Sequence, residues 1–357
     1  MIMVAAMAAV LWGIGMAMGT PKRARWIMIA LLLALVIVIQ LALPDRHPLR
    51  EATGGDVRLW LLIFAFAAIG LGYRRLLQAL RQKAGSPEAS PAAPITPPTF
   101  TDTELDRYGR HIMLREIGGV GQKALRDAKV LVIGAGGLGS PALQYLAAAG
   151  VGQIGVIDDD VVENTNLQRQ VIHTDTRIGM PKVHSAAEAI RDQNPFVTVK
   201  PYHRRLDDSF APELFAEYDL VLDGTDNFAT RYLVNETCVA GQIPLVAAAL
   251  TQWEGQISVY DPANDAPCYA CIFPHAPAAD LVPSCAEAGV IGPLPGVVGS
   301  MMAVEAIKLI TGAGDPLRGR LMIYDALFAE TRVIKAKRRP DCAVCGSAPL
   351  SRPATAS

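Results

Sequence analysis

Charge of one sign is what this chain lacks first. Its 33 Lys and Arg are matched by 34 Asp and Glu, leaving a net charge of −1. The composition therefore carries no electrostatic footprint for nucleic acid. The six histidines are scattered and form no His-based dyad, so they read as surface or core residues. No internal repeat runs along the sequence. Charged side chains are missing altogether from residues 1–19, 26–43 and 59–73, and the second of these runs is dense in Leu, Ile and Val.

A membrane span needs about 20 apolar residues, with about 17 as the lower limit. The first two runs reach that length and the third is marginal. A cleaved signal peptide would carry its basic residues ahead of a shorter apolar core. Here Lys22, Arg23 and Arg25 follow the first run, which favours a membrane anchor over residues 1–83. Residues 45–58 mix both signs, whereas 22–25 and 74–83 are basic without acids. The positive-inside rule places both basic segments in the cytoplasm, which favours three spans and a cytoplasmic body.

Residues 84–100 read AGSPEASPAAPITPPTF, the composition of a semi-extended tether. The body is expected over 101–349 and a disordered tail over 350–357. Strand and helix signals alternate through the body, which predicts a doubly wound α/β sheet. Strands are expected at 129–133, 153–157, 197–202, 220–222, 245–248 and 256–260. Helices are expected at 138–149, 182–193, 229–240 and 298–311. An open sheet of this kind gathers the C-terminal ends of its strands at one crevice. The loop after the first strand, Asp158 and Asp226 all belong there.

That loop, Gly134-Ala135-Gly136-Gly137-Leu138-Gly139, lets phosphate approach backbone N–H groups at a helix N-terminus. Asp158 follows it by about 20 residues, where such a unit places the acid that holds a ribose hydroxyl. The loop alone could serve NAD, FAD or ATP. The polar block Asn166-Leu167-Gln168-Arg169-Gln170, with Lys182 beyond it, is not ordinarily needed by a dinucleotide site. Positioned Arg and Lys groups, with a metal ion, suit a triphosphate whose α-phosphate is attacked by a carboxylate. Asp226 follows an apolar strand and suits magnesium, which takes one or two carboxylates besides phosphate oxygens. The competing reading of Asp226 is a helix cap before Ala229.

Four of the six cysteines form two pairs, Cys268/Cys271 and Cys342/Cys345, each with two residues between. Four thiolates at this spacing suit a closed tetrahedral zinc site that pins the C-terminal segment to the body. Disulfides and a redox pair are the alternatives. Cys238, beside Val239 and Ala240 in a helical pattern, reads as a core residue.

Over residues 107–346 the sequence resembles the ubiquitin-activating (E1-like) adenylyltransferases. The glycine loop and the 166–170 block match that family. So do Arg107-Tyr108-Gly109-Arg110-His111, Pro181-Lys182, Thr225-Asp226-Asn227, Glu254-Gly255-Gln256, Cys268-Tyr269-Ala270-Cys271 and Cys285-Ala286-Glu287-Ala288-Gly289-Val290. The closest likeness is to molybdopterin-synthase adenylyltransferase, and the thiamine-pathway sulfur-carrier adenylyltransferase comes next.

The resemblance implies a Rossmann-like mixed sheet, a homodimer, and ATP with Mg2+ and structural Zn2+. It places Gly136, Gly137, Asp158, Thr165, Asn166, Leu167, Gln168, Arg169, Lys182, Asp226 and Asn227 at ATP, with Asp226 on the magnesium. Relatives often carry serine at the position of Thr165, and either residue offers a hydroxyl. Arg110 would reach phosphate from the other subunit. Cys285, in a Pro/Ala-rich crossover loop, would relay sulfur or take the activated carrier, or else be an unreactive thiol.

The reaction implied is adenylylation of the C-terminal Gly-Gly carboxylate of a ubiquitin-like sulfur-carrier protein. An NAD- or FAD-dependent oxidoreductase, an idle membrane scaffold and a tRNA-modifying dehydratase are the competing readings. The cations and Asp226 argue against the first two. The cysteine quartet and Glu254-Gly255-Gln256 argue against the third. The chain stops soon after Cys345, so sulfur is expected from a separate sulfurtransferase or cysteine desulfurase.

Overall fold

The computed structural model describes residues 2–44, 47–54, 56–83, 100–276 and 288–346. The expected tether up to residue 99, residues 277–287, which hold most of the crossover loop expected at 274–283 and Cys285, and the tail at 350–357 lie outside the described residues. The chain divides into two compact units, Met1–Pro97 and Pro98–Ser357.

The first unit is helical: α1 (Ile2–Ala17), α2 (Lys22–Ala42), α3 (Pro48–Ala52) and α4 (Val57–Lys83). Its helix lengths differ from the lengths of the apolar runs. The first apolar run gives a helix of only 16 residues, about 24 Å long at 1.5 Å per residue. The run expected to be marginal lies inside the longest helix, of 27 residues. The reason is that Arg74–Lys83 is rich in Leu, Arg, Gln and Lys, good helix formers that carry α4 past the apolar stretch. Lys22–Ala42 and Trp60–Leu77 are long and apolar enough to cross a membrane.

Val4, Val36 and Trp60 meet in a small core with Leu33 and Phe64. Buried Gln40 ties the end of α2 to the α3 turn, donating to Thr53 Oγ1 at 2.8 Å and to the Arg50 carbonyl at 2.9 Å. Trp60 Nε1 donates to the Thr53 carbonyl at 3.1 Å. Leu31, Leu35, Val38, Phe66 and Ile69 are left exposed.

The second unit is built on one eight-stranded sheet. Its strands are β1 (Lys129–Ile133), β2 (Gln153–Ile157), β3 (Thr198–Tyr202), β4 (Leu220–Asp223), β5 (Leu245–Leu250), β6 (Glu254–Tyr260), β7 (Arg320–Asp325) and β8 (Glu330–Lys335). They lie in the order β3-β2-β1-β4-β5-β6-β7-β8. The first five are parallel and the last three pair antiparallel. This is the mixed, doubly wound sheet expected.

Past the exposed Lys129, β1 is an uninterrupted buried run because both faces of the sheet are covered. Val130 and Val132 face one core, with Leu143, Leu146, Ile190, Val298 and Met302. Leu131 and Ile133 face the other, with Leu214, Phe215 and Val234. The first core is supplied by α6 (Gly118–Asp127), α7 (Gly139–Ala149), α8 (Lys182–Gln193) and α12 (Pro293–Thr311). The second is supplied by α9 (Ala211–Phe215) and α10 (Phe228–Gly241). Two further helices are α5 (Asp102–Ile112), which opens the unit behind a Thr101–Glu104 capping box, and α11 (Tyr269–Ile272).

α12 begins five residues before the expected start at 298, because Pro293 and Pro295 fall in its first turn, where no N–H partner is required. It too is long and apolar enough to span a membrane, yet Leu294, Val298, Met302 and Ala306 are buried in the core. β7 and β8 were not expected from sequence. β8 is exposed along its whole length, so it shows no period-2 alternation.

A chain starting at Pro98 is expected to fold on its own and to unfold in a single cooperative thermal transition. A broad, non-cooperative melt followed by circular dichroism would contradict the division into two units.

Candidate functional site

β1 and β4 are neighbours whose chains continue to opposite sides of the sheet, and the loops after both strands meet there. Gly134 takes φ +91°, and the chain turns so tightly that a Cβ on Gly139 would lie 1.9 Å from the Gly134 carbonyl oxygen. No side chain fits at 139. A Cβ on Gly134 would lie 3.5 Å from both the Gly224 carbonyl and the Thr225 side chain, so the two loops are in van der Waals contact. A Cβ on Gly137 would meet Pro295 of α12 at 3.1 Å and Arg169 Cγ at 3.7 Å.

Asp158 follows β2 and is fastened to this loop. Its Oδ2 accepts from the Ala135 N–H at 2.8 Å and its Oδ1 from the Asp160 N–H at 2.8 Å. Burial pushes its carboxyl above the ordinary range, and Lys182 and the two N–H groups draw it part of the way back.

The polar block begins in a 3-10 turn, Asn164–Asn166. Arg169 donates to Asn166 Oδ1 at 3.0 Å and to the Thr165 carbonyl at 3.2 Å. Leu167 is half-buried and Gln168 exposed. The Gln168 carbonyl packs on the start of α12, 2.6 Å from where a Cβ on Gly292 would be. Lys182 opens α8 from a buried position, with its Nζ 2.6 Å from Oδ2 of the exposed Asp160.

On the other side of the crevice, Asp223 Oδ1 accepts from the Thr225 N–H at 2.9 Å and from its hydroxyl at 2.7 Å. The cap of α10 is Asn227, whose side chain accepts from the Thr230 N–H at 3.1 Å. Asp226 is therefore not the cap, and it is exposed. Asn227, expected at ATP, has its side-chain oxygen engaged in capping.

The structure does not bring Arg110 to this crevice within one chain. It is exposed on α5, two residues after Tyr108, which packs against Gly150 at the far end of α7. The 11 residues of α7 rise about 16 Å between that end and the glycine loop.

Two contributors escape a reading of the sequence. Buried His173 contacts the Ala135 carbonyl through Nε2 at 2.9 Å and Ser185 Oγ through Nδ1 at 2.8 Å. Buried Arg231 donates to the Ala248 carbonyl at 2.7 Å and to the Thr225 carbonyl, and its NH1 lies 4.0 Å from Asp223 Oδ2. Arg231 thus anchors the loop that carries Asp226. Its position four residues after Asn227 on the cap-bearing helix was the available signal.

The four cysteines converge in a separate cluster. All are buried, none is in a disulfide, and their sulfurs lie within 4.8 Å of one another. Sγ separations are 3.8 Å for Cys268–Cys271, 3.7 Å for Cys268–Cys342 and 3.4 Å for Cys271–Cys345. A tetrahedron with metal–sulfur bonds of about 2.3 Å has edges of about 3.8 Å, so the donor set fits zinc. Burial pushes the Cys268 thiol well above its ordinary value and the Cys345 thiol to about 11. Burial opposes ionisation of Cys342 too, but the Cys345 and Val344 N–H groups hold it down to about 7. A divalent cation is what would let all four ionise together. Tyr269, between the pair, is enclosed by Tyr232, Tyr260 and Phe273 with ring centroids 5.3, 5.6 and 4.9 Å away.

The pattern of the ThiF family matches residues 108–344. The chain is 51% identical over 244 residues to the SAMP-activating enzyme E1 of Haloferax volcanii, covering 68% of this chain and 90% of that protein. It is 49% identical over 257 residues to the sulfur carrier protein adenylyltransferase of Thermus thermophilus, covering 71% and 95%. The adenylyltransferase and sulfurtransferase MOCS3 of Bos taurus is 45% identical over 278 residues, but only 61% of its length is covered. Among solved structures, E. coli MccB with ATP superposes with a TM-score of 0.60 at 25% identity, covering 68% of this chain and 75% of that one.

Because burial raises the Asp158 carboxyl, its contribution to stability is present below the unfolded-state pKa and lost as the pH rises through the folded one. Carboxyl-carbon NMR of the unliganded protein is expected to show Asp158 titrating above the ordinary aspartate range. Lys182→Met should move it higher still. Titration at or below the ordinary range would overturn the dominance of burial.

Proposed function

The chain belongs to the ThiF family, and from that footing we propose that it adenylylates the C-terminal Gly-Gly carboxylate of a ubiquitin-like sulfur-carrier protein. Its finer assignment is the small subunit of molybdopterin synthase, in molybdenum cofactor biosynthesis, with the thiamine-pathway carrier as the alternative. The observation that carries the reading is the meeting, at one sheet crevice, of a phosphate-accepting glycine loop, Asp158, two cations and the solvent-facing Asp226. Similarity along nearly the full length of a relative named a sulfur carrier protein adenylyltransferase, and of one named a SAMP-activating enzyme E1, supports the same reading.

In the proposed reaction a carrier carboxylate oxygen attacks the α-phosphorus of ATP. A carboxylate–phosphorus bond forms, the bond from the α-phosphorus to the bridging oxygen breaks, and pyrophosphate leaves with that electron pair. The carboxylate is already ionised at neutral pH, so no general base is needed. This accounts for a site without a catalytic histidine.

Asp158 holds the ribose, and the N–H groups of Gly136 and Gly137 face the phosphates. Asn166 orients Arg169, which with Lys182 offsets the charge developing on the phosphates. Asp226 is the carboxylate for magnesium, which supplies Lewis-acid neutralisation at the phosphate oxygens. The partner subunit's Arg110 would complete the phosphate site in a homodimer. Cys268, Cys271, Cys342 and Cys345 hold a structural zinc, which supplies folding energy rather than chemistry.

The first unit is a membrane anchor in this reading. The apolar outer faces of α2 and α4 are what a lipid environment would cover, and their basic flanks favour a cytoplasmic body.

Carrier-dependent ATP–pyrophosphate exchange, run with each purified Gly-Gly carrier in turn, tests the function and identifies the pathway. Asp226→Ala is expected to abolish exchange while the zinc content and melting temperature stay unchanged. Exchange surviving in that variant would sink the assigned role. The wild-type protein should carry one equivalent of zinc by elemental analysis. Cys345→Ser should lose the zinc and lower the melting temperature. A wild-type protein whose melt is indifferent to chelator would remove the zinc assignment.

A further inference from the structure

His173 is a buried titratable group beside the crevice that the proposed reaction does not use. Its surroundings fix its tautomer. The Ala135 carbonyl can only accept, so Nε2 carries the proton and donates to it across 2.9 Å. In a neutral ring Nδ1 is then an acceptor, and the Ser185 hydroxyl, 2.8 Å away and fully buried, donates to it. Burial pushes the imidazole below its ordinary range, which keeps the ring neutral.

The consequence lies in the peptide plane between Ala135 and Gly136. In a trans peptide the carbonyl of one residue and the N–H of the next point in opposite directions. With the Ala135 carbonyl drawn inward to His173, the Gly136 N–H is aimed outward. The preceding plane is fixed as well, by the bond from the Ala135 N–H to Asp158 at 2.8 Å. Buried Gln170 stands behind Gly136, with its Nε2 3.6 Å from where a Cβ would be. Among the described residues, the N–H groups of Gly136 and Gly137 take no protein acceptor.

We propose that His173 is a positioning residue that, together with Ser185, locks the Ala135–Gly136 peptide so that the Gly136 N–H faces the phosphates of the nucleotide. Ser185 sits on α8, three residues after Lys182, so the same contact ties the glycine loop to the helix carrying that cation. The inference rests on the reading of this crevice as a nucleotide-triphosphate site, but not on the identity of the carrier.

The test is equilibrium binding of α,β-methylene ATP and of adenosine to the full-length chain, with no carrier and no turnover. His173→Leu removes the donor and is expected to weaken α,β-methylene ATP by about tenfold while adenosine changes by less than about twofold. His173→Gln restores a donor toward Ala135 and should recover triphosphate binding to within about threefold of wild type. If His173→Leu does not fold, Ser185→Ala replaces it, with an expected loss of about threefold for the triphosphate alone.

Unchanged triphosphate binding in the donor-less variants overturns the proposal. So does a proportional loss of adenosine, or a His173→Gln variant no better than His173→Leu. A wild-type protein that binds no analogue overturns this proposal and the nucleotide-site reading together. One that binds it with the expected pattern yet shows no carrier-dependent exchange overturns the proposed function alone.

Discussion

The Gly134 carbonyl oxygen occupies the space in which any side chain at residue 139 would have to begin. That close approach lets β1 turn directly into α7, and among the described residues the Gly136 and Gly137 N–H groups are left without a protein acceptor. It also sets the level at which α12 can dock, because Gly137 must let Pro295 in, and Gly299 must admit the Leu138 carbonyl 2.3 Å from its Cβ position. A methyl group at 139 would separate strand, loop and helix together. The fold and the candidate site therefore share one steric constraint.

Around that turn, each side of the crevice is held by buried polar groups of opposite character. On one side Asp158 takes the Ala135 N–H and His173 takes the Ala135 carbonyl. On the other, Arg231 gathers the Thr225 and Ala248 carbonyls beside Asp223. Beyond the bonds from the Gly134 N–H to the Ile157 carbonyl and from the Gly224 N–H to the Ile133 carbonyl, both loops are fixed by side chains, as suits a site that presents backbone groups to a ligand. The cysteine cluster packs against Tyr232 and Val239 of α10. Its tie to the core runs through Tyr269 and its aromatic neighbours.

Much of this was legible in the sequence where local pattern and burial coincide. The run at 130–133 is apolar on both faces because both faces are covered, and the glycine spacing after it marks a turn that sterics alone demand. The cysteine spacing anticipated the convergence of four sulfurs. Other features had no local signature. β8 lies at the sheet edge with every residue exposed, so nothing in its alternation sets it apart. α12 was read short because prolines that break a helix interior are permitted in its first turn. The third apolar run looked marginal because hydropathy ends at Tyr73, while helix propensity does not. His173 was invisible for a different reason. Its partner Ala135 lies 38 residues away, and a lone histidine carries no mark of the carbonyl it will meet.

The resting pair of Lys182 and Asp160 has a bearing on turnover. A buried ammonium that is already matched offers an incoming polyphosphate an exchange of partners rather than a naked attraction. The exchange runs in both directions. Were pyrophosphate to depart as in the proposed reaction, the exposed Asp160 would be at hand as the competing anion, and release would not strand a bare cation in the protein. In that reading the acidic neighbour would temper affinity for the product.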